Sequence, residues 1–322
     1  MELFDGPVGT VGCRGIHCDN PILVAWATGC EVTRGYQDIA LQGLRASHGS
    51  AQDAIGKVTE SNTTNVVSLG DGGEAVLTFA KPIVNGEGYD FAVFENSFND
   101  LFLELAFVEV SSDSNYWVRF PAISNTQTAT QVNGSSGSID ARYIHNLAGK
   151  YRVGWGTPFD LDDLAGDPQL DFDNIRYVKV IDVVGSINPL YASYDSRNRI
   201  INDPYSTYFA SGGFDLAGVG VINEKSDVSV TDAEIMPYRI YPNPTRGQLR
   251  ITSYELKDGD VIEIYNVVGQ KLQSAPFNSP EGGKLPSFGG AGGGEMVIDI
   301  SHFANGMYYL RIADKMVKII KE

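Results

Sequence analysis

Positive charge is scarce in this 322-residue sequence: 24 Lys and Arg face 40 Asp and Glu, a formal net charge of −16. The deficit lies in residues 1–238, where fourteen basic residues meet thirty-one acidic ones, a balance of −17; residues 239–322 hold ten and nine. A field of that sign repels phosphate backbones, which argues against nucleic acid as a partner, and it attracts cations. Long apolar runs are also missing. None approaches the about twenty residues that a membrane-spanning helix needs, so no transmembrane segment is expected. Histidine is rare: His17, His48, His145 and His302 stand in no HExxH, nucleophile elbow or comparable setting. Three cysteines allow at most one internal disulfide, expected between Cys13 and Cys18, and a zinc site there lacks ligands beyond His17.

What is present is turn and strand chemistry. The chain carries 36 Gly, 16 Tyr and 15 Phe among short Val- and Ile-rich runs, with no sustained helical period, which reads as all-β. Hydrophobic residues at 43% are enough for a core, and the length suggests two units. Strands are expected at 75–79, 90–95, 106–110, 116–120 and 177–182, several alternating apolar with polar at period two. The polar stretch 224–238 reads as a linker. Beyond it, 249–252, 261–265 and 308–312 suggest short antiparallel strands. The expected architecture is therefore a large jelly-roll-like β-sandwich at 1–223 and a small Ig-like β-sandwich at 239–322.

The second unit carries a specific set of motifs. They are Tyr241-Pro242-Asn243-Pro244-Thr245 with Gly247, Ile264-Tyr265-Asn266 with Gly269-Gln270, Ile298-Asp299-Ile300, Asn305-Gly306-Met307-Tyr308-Tyr309 and the closing Lys318-Ile319-Ile320-Lys321. Residues 239–322 resemble the C-terminal sorting domain of type IX secretion substrates. The resemblance implies recognition by that machinery in a Bacteroidetes-type cell, passage through the periplasm, and a secreted or outer-membrane-attached product. In the family the module is commonly removed as the remainder is joined to surface lipopolysaccharide. The opening residues Met1 to Pro7 lack a signal-peptide pattern, so the expectation is a chain already in its mature form. Within the module, Pro242 and Pro244 are expected to hold extended backbone, and Asn305-Gly306 to make a tight hairpin. Residues 287–294 read as a flexible glycine-rich loop.

The first unit contains Val67-Ser68-Leu69-Gly70-Asp71-Gly72-Gly73, Phe91-Ala92-Val93-Phe94-Glu95-Asn96, Leu147-Ala148-Gly149-Lys150-Tyr151 and Ser211-Gly212-Gly213-Phe214-Asp215-Leu216. These motifs resemble a family of bacterial cell-surface proteins found with varied surface anchors. That likeness implies a location and a β-sandwich, and carries no activity.

Carboxylates at strand ends beside Gly or Asn turns gather acidity at the ends of a sandwich. Calcium takes about six to eight hard oxygen ligands. Asp195, Asn198 and Asp203, with Asp182, Asp215, Glu95 and Asn96, are the candidate set for a structural Ca²⁺, the alternative being Asx caps of ordinary turns. A second cluster, Asp160, Asp162, Asp163, Asp167, Asp171 and Asp173, reads better as a solvated turn with a short helix capped by Asp160. Trp155, Tyr191, Tyr194, Tyr205 and Tyr208 are candidates for a platform binding carbohydrate or another small ligand. Trp26 and Trp117 read as core. The expected function is non-catalytic capture of a carbohydrate or small nutrient at the cell surface. The alternatives are an adhesive protein with a protein partner, and a diverged hydrolase pairing two carboxylates such as Glu95 and Glu109.

Overall fold

The computed structural model of the protein describes residues 2–61, 63–226, 238–253, 260–266, 270–276, 294–312 and 315–322. It is all-β: among the described residues the only helical turns are three short 3₁₀ segments. The chain divides into two compact units, Met1–Ser226 and Asp227–Glu322. The expected linker falls largely on 227–237, outside the described residues. Its first residues belong to the first unit, where the Lys225 amide donates to the Pro82 carbonyl (2.8 Å) and Lys81 pairs with Glu224 (3.4 Å).

The strands of the first unit are β1 (Ile16–His17), β2 (Ala25–Trp26), β3 (Gly29–Thr33), β4 (Val67–Ser68), β5 (Glu74–Ile83), β6 (Phe91–Glu95), β7 (Ala106–Ser111), β8 (Val118–Arg119), β9 (Ile123–Ser124), β10 (Ile144–His145), β11 (Trp155–Phe159), β12 (Ile175–Asp182) and β13 (Asp215–Val221). One sheet runs β1-β11-β6-β13-β2, with β4 also on β13; the other runs β3-β5-β12-β7-β8; and β9 pairs with β10. The ladders are antiparallel, and the chain changes sheet at β5 to β6 to β7 and again at β11 to β12 to β13. Leu77, Val108, Val178 and Val180 of one sheet and Phe91, Val93, Leu216 and Val219 of the other share one core.

Period-two alternation shows in part where one face is not fully covered. In β7, Ala106, Val108 and Val110 enter the shared core while Glu109 turns outward to Arg119 (2.8 Å) and Lys179 (3.5 Å). By contrast β6 and β13 are buried at every position, because Val58, Leu23 and Trp26 pack over their outer face. A strand covered on both sides reads as a continuous apolar run. The loops 34–66, 96–105 and 183–214 leave the sandwich where Glu95, Asp182 and Asp215 end or begin their strands.

The second unit has β14 (Tyr238–Tyr241), β15 (Gln248–Ser253), β16 (Val261–Asn266), β17 (Lys271–Pro276), β18 (Gly294–Asp299), β19 (Gly306–Ile312) and β20 (Lys315–Lys321). They form sheets β14-β15-β18 and β17-β16-β19-β20 around Leu249, Ile251, Ile262, Ile264, Ile298 and Leu310. Asn305-Gly306 does not make the expected hairpin. It ends the connection that carries the chain from β18 in one sheet to β19 in the other. Of the expected glycine-rich loop 287–294, residues 287–293 lie outside the described residues and Gly294 begins β18.

Candidate metal centre

Five carboxylates converge where the three loops leave the sandwich. Asp182 ends β12, Glu95 ends β6, Asp215 begins β13, Glu104 precedes β7, and Asp203 comes from the β12–β13 connection. Their partners are neutral donors. Asp182 accepts from the Gly72 (2.9 Å) and Phe214 (2.7 Å) amides, and Asp215 accepts from the Ser68 hydroxyl and from Asn96 Nδ2 (3.0 Å). Glu95 accepts from the Ser97 amide (2.7 Å) and Asp203 from the Leu105 amide (3.2 Å), each through one oxygen. The other oxygen of each, Glu95 Oε1 and Asp203 Oδ1, is buried with no hydrogen-bond partner, in residues 1% and 3% exposed. Among the described residues no Lys, Arg or His forms an ion pair with any of the five. Arg34 lies near enough to stabilise the Asp215 charge, but its guanidinium is spent on the carbonyls of His48 (2.8 Å), Gly49 (2.7 Å) and Ser68.

The electrostatic consequence is uniform. Burial raises Glu95, Asp182 and Asp203, and with them the half-buried Glu104, well above the usual carboxylate range, and repulsion from Asp215, Asp182 or Asp71 adds to it. Asp215 is pushed up to about 6 and Asp71 to about 7, burial being the main cause in both. An uncompensated buried carboxylate costs several kcal/mol, and this cluster stacks several. Glycine lets the backbone close on it: Gly213 has φ +73°, and a Cβ there would meet Asp182 Oδ1 at 2.7 Å. No three of these carboxylates bring their oxygens within 4.8 Å of one another. Among the described residues only His17, Cys18 and Asp19 bring three such ligand atoms within 4.8 Å, and there the Lys57 ammonium already holds Asp19 (2.7 Å).

Of the seven residues expected to hold a metal, the structure gathers Glu95, Asn96, Asp182, Asp203 and Asp215, with Asn96 serving as a donor to Asp215. Asp195 and Asn198 stand apart. Asp195 accepts from the Ser124, Arg197 and Arg199 amides and from the Arg199 guanidinium (2.6 Å); these bonds outweigh the effect of burial and hold its carboxyl below the usual range. Asn198 turns the chain at φ +57°, so both are the ordinary turn residues of the alternative reading. Sequence reasoning missed Glu104, an interruption in an apolar run, and Asp71 in the Gly-Asp-Gly-Gly turn.

The second acidic cluster is a turn: Asp160 caps the 3₁₀ segment Leu161–Leu164, and Asp162, Asp163 and Asp167 accept from Asn85, Asn146 and Tyr116. The five aromatic residues expected to bind a ligand come from two places in the fold. Trp155, on β11, meets His17 edge-on (5.0 Å), while Tyr191, Tyr194, Tyr205 and Tyr208 lie on the β12–β13 connection, and no ring contact joins any two of the five. Tyr205 donates to Asp38 (2.9 Å). Trp26 packs on Phe94 (5.1 Å) and Trp117 on Tyr177 (6.2 Å). Glu109 is held by Arg119 and Lys179 on the opposite sheet from Glu95, so that pair is not assembled. All three cysteines are free: β1 carries the chain between Cys13 and Cys18, whose amide donates to Gly154, so the expected disulfide is not formed.

In the second unit, the segment after β14 is bonded to the closing strand. Asn243 Nδ2 donates to the Lys318 carbonyl (2.8 Å), the Ile320 amide donates to Asn243 Oδ1 (2.9 Å), and Thr245 exchanges backbone bonds with Ile320 and Glu322. The first and last motifs are one structural device. Residues 239–322 match the family described as secretion system C-terminal sorting domain. The protein is therefore a secreted or cell-surface protein, exported by way of type IX secretion. No curated protein matches the chain. No helix among the described residues is long and apolar enough to cross a membrane. The sorting domain has its own buried carboxylate, Glu263 of β16, which accepts from Tyr265 (2.8 Å), Lys271 (3.0 Å) and Arg311. The Tyr265 hydroxyl and these two cations draw it down to about 2.

Proposed function

We propose that the first unit is a non-catalytic binding domain whose ligand-facing loops are held by calcium, and that the sorting domain delivers it to the cell surface to capture a carbohydrate or another small polar nutrient. One observation carries the metal reading: two buried carboxylate oxygens without partners sit in a cluster of like charges with which no Lys, Arg or His among the described residues forms an ion pair. A hard divalent ion answers both deficits, since it takes carboxylate and carbonyl oxygens and brings the missing charge. Glu95, Glu104, Asp182, Asp203 and Asp215 are its candidate ligands, and closing on the ion draws their strand ends together. The likeness of residues 10–223 to bacterial cell-surface proteins supports the same address. Thermal unfolding of the full chain, stripped with EDTA and then given calcium, tests the reading. A raised midpoint for the first unit is expected, and an unchanged midpoint in metal-free protein would remove calcium from the account.

A further inference from the structure

The cleft beside the cluster has walls that are both anchored to it. It encloses about 540 Å³ between residues 98–102 and 135–138. The first wall leaves the cluster at Glu95 and returns at Glu104. The second is a turn built on Asn133 Oδ1, which accepts from the Ser135 and Ser136 amides and hydroxyls. That turn is tied to the residues flanking Asp203: the Val132 amide donates to Asn202 Oδ1 (2.9 Å), and the Tyr205 amide to the Val132 carbonyl (3.0 Å). The walls meet where the Ile139 amide donates to the Leu101 carbonyl (2.8 Å).

The lining pairs apolar surface with hydroxyl chemistry. Phe98 is 69% exposed and Leu101 56%. Opposite them stand Ser135, Ser136 and Ser138, the first two with donors spent on Asn133 and lone pairs left to accept. Asp100, also in the lining, keeps Oδ2 on Arg152 (2.6 Å), and its Oδ1 is buried. A ring face and hydroxyl acceptors suit a ligand with an apolar face and many O–H donors. The −17 balance of residues 1–238 selects against an anionic one.

We propose that this cleft binds a neutral saccharide, and that calcium at the carboxylate cluster sets the spacing of its walls. The coupling rests on the calcium reading above. Isothermal titration of the full chain with neutral hexasaccharides of the malto, cello, xylo and laminari series, in calcium and in EDTA, tests it. At least one series should bind in calcium. Its affinity should fall about tenfold or more in EDTA and, with the unfolding midpoint unchanged, in Phe98→Ala, because a stacked ring is a typical binding hot spot. Absence of binding by all four series in calcium, or binding indifferent to Phe98→Ala, overturns the proposal. A calcium-raised midpoint without sugar binding leaves the metal site standing and removes only this inference. Sugar binding that depends on Phe98 but ignores calcium removes the coupling.

Discussion

Glu95 and Glu263 are both strand glutamates that are nearly buried, and they are treated in opposite ways. Glu263 lies in register with Arg311 across the sheet and also receives Lys271 and Tyr265, so its charge is answered within the chain. Glu95 is paired in register with Leu216, receives one backbone amide, and faces Asp215 and Glu104 across the end of the sandwich. A chain that surrounds Glu263 with cations gives Glu95 and its neighbours no ion-pair partner among the described residues. The contrast is the reason for proposing that the first unit's cluster takes its counter-charge from outside.

The largest expected effect is calcium itself. A ligand bound only by the folded state at a hundred times its Kd adds about 2.7 kcal/mol. For a unit of this size that shifts the midpoint by roughly 5–10 °C, as read by differential scanning calorimetry. Glu95→Gln with Asp203→Asn sharpens the comparison. In EDTA the double variant should unfold at or above the wild-type temperature, because like charges are removed, whereas in calcium it should lose the rise. A variant less stable in EDTA and still responsive to calcium would contradict the cluster's role.

The pH dependence follows from the raised pKa values. A carboxyl whose folded pKa lies above its unfolded value, about 4 for Asp and Glu, binds more protons when folded, so its stabilisation is present at low pH and lost as pH rises through the folded pKa. With Asp215 near 6 and Asp71 near 7, the metal-free midpoint of the first unit should fall as pH is raised from about 4 to 7. Calcium should flatten that slope. A metal-free midpoint that climbs over this window breaks the account. The smallest effect is on the other side of the comparison. Glu263 is depressed to about 2, so its contribution is present above the unfolded pKa and fades only as pH falls below it. Glu263→Gln should lower the sorting domain's midpoint modestly, equally with and without calcium.

The strands and the all-β class were legible because alternation and turn residues are local signals. The two fully buried strands were legible only as apolar runs, since Leu23, Trp26 and Val58, which cover them, are distant in sequence. The strand-end acids Glu95, Asp182 and Asp215 could be picked out because each is followed or preceded by a turn motif. Asp195 carried the same signal and proved to be an Arg199-paired turn, because Asp is equally at home as a cap and as a ligand. Glu104 was invisible, as the carboxylates around it come from four other segments. The arrangement of the five aromatic residues was not legible for the same reason: ring content says nothing about which loops meet.

Calcium counting tests the central claim most directly. Equilibrium dialysis of the full chain against radioactive calcium, for the wild type and for Glu95→Gln with Asp203→Asn, reads occupancy without reference to stability. The account predicts saturable calcium bound by the wild type and lost in the double variant, with the variant still folded by circular dichroism. Calcium bound equally by both proteins, or by neither, would contradict it.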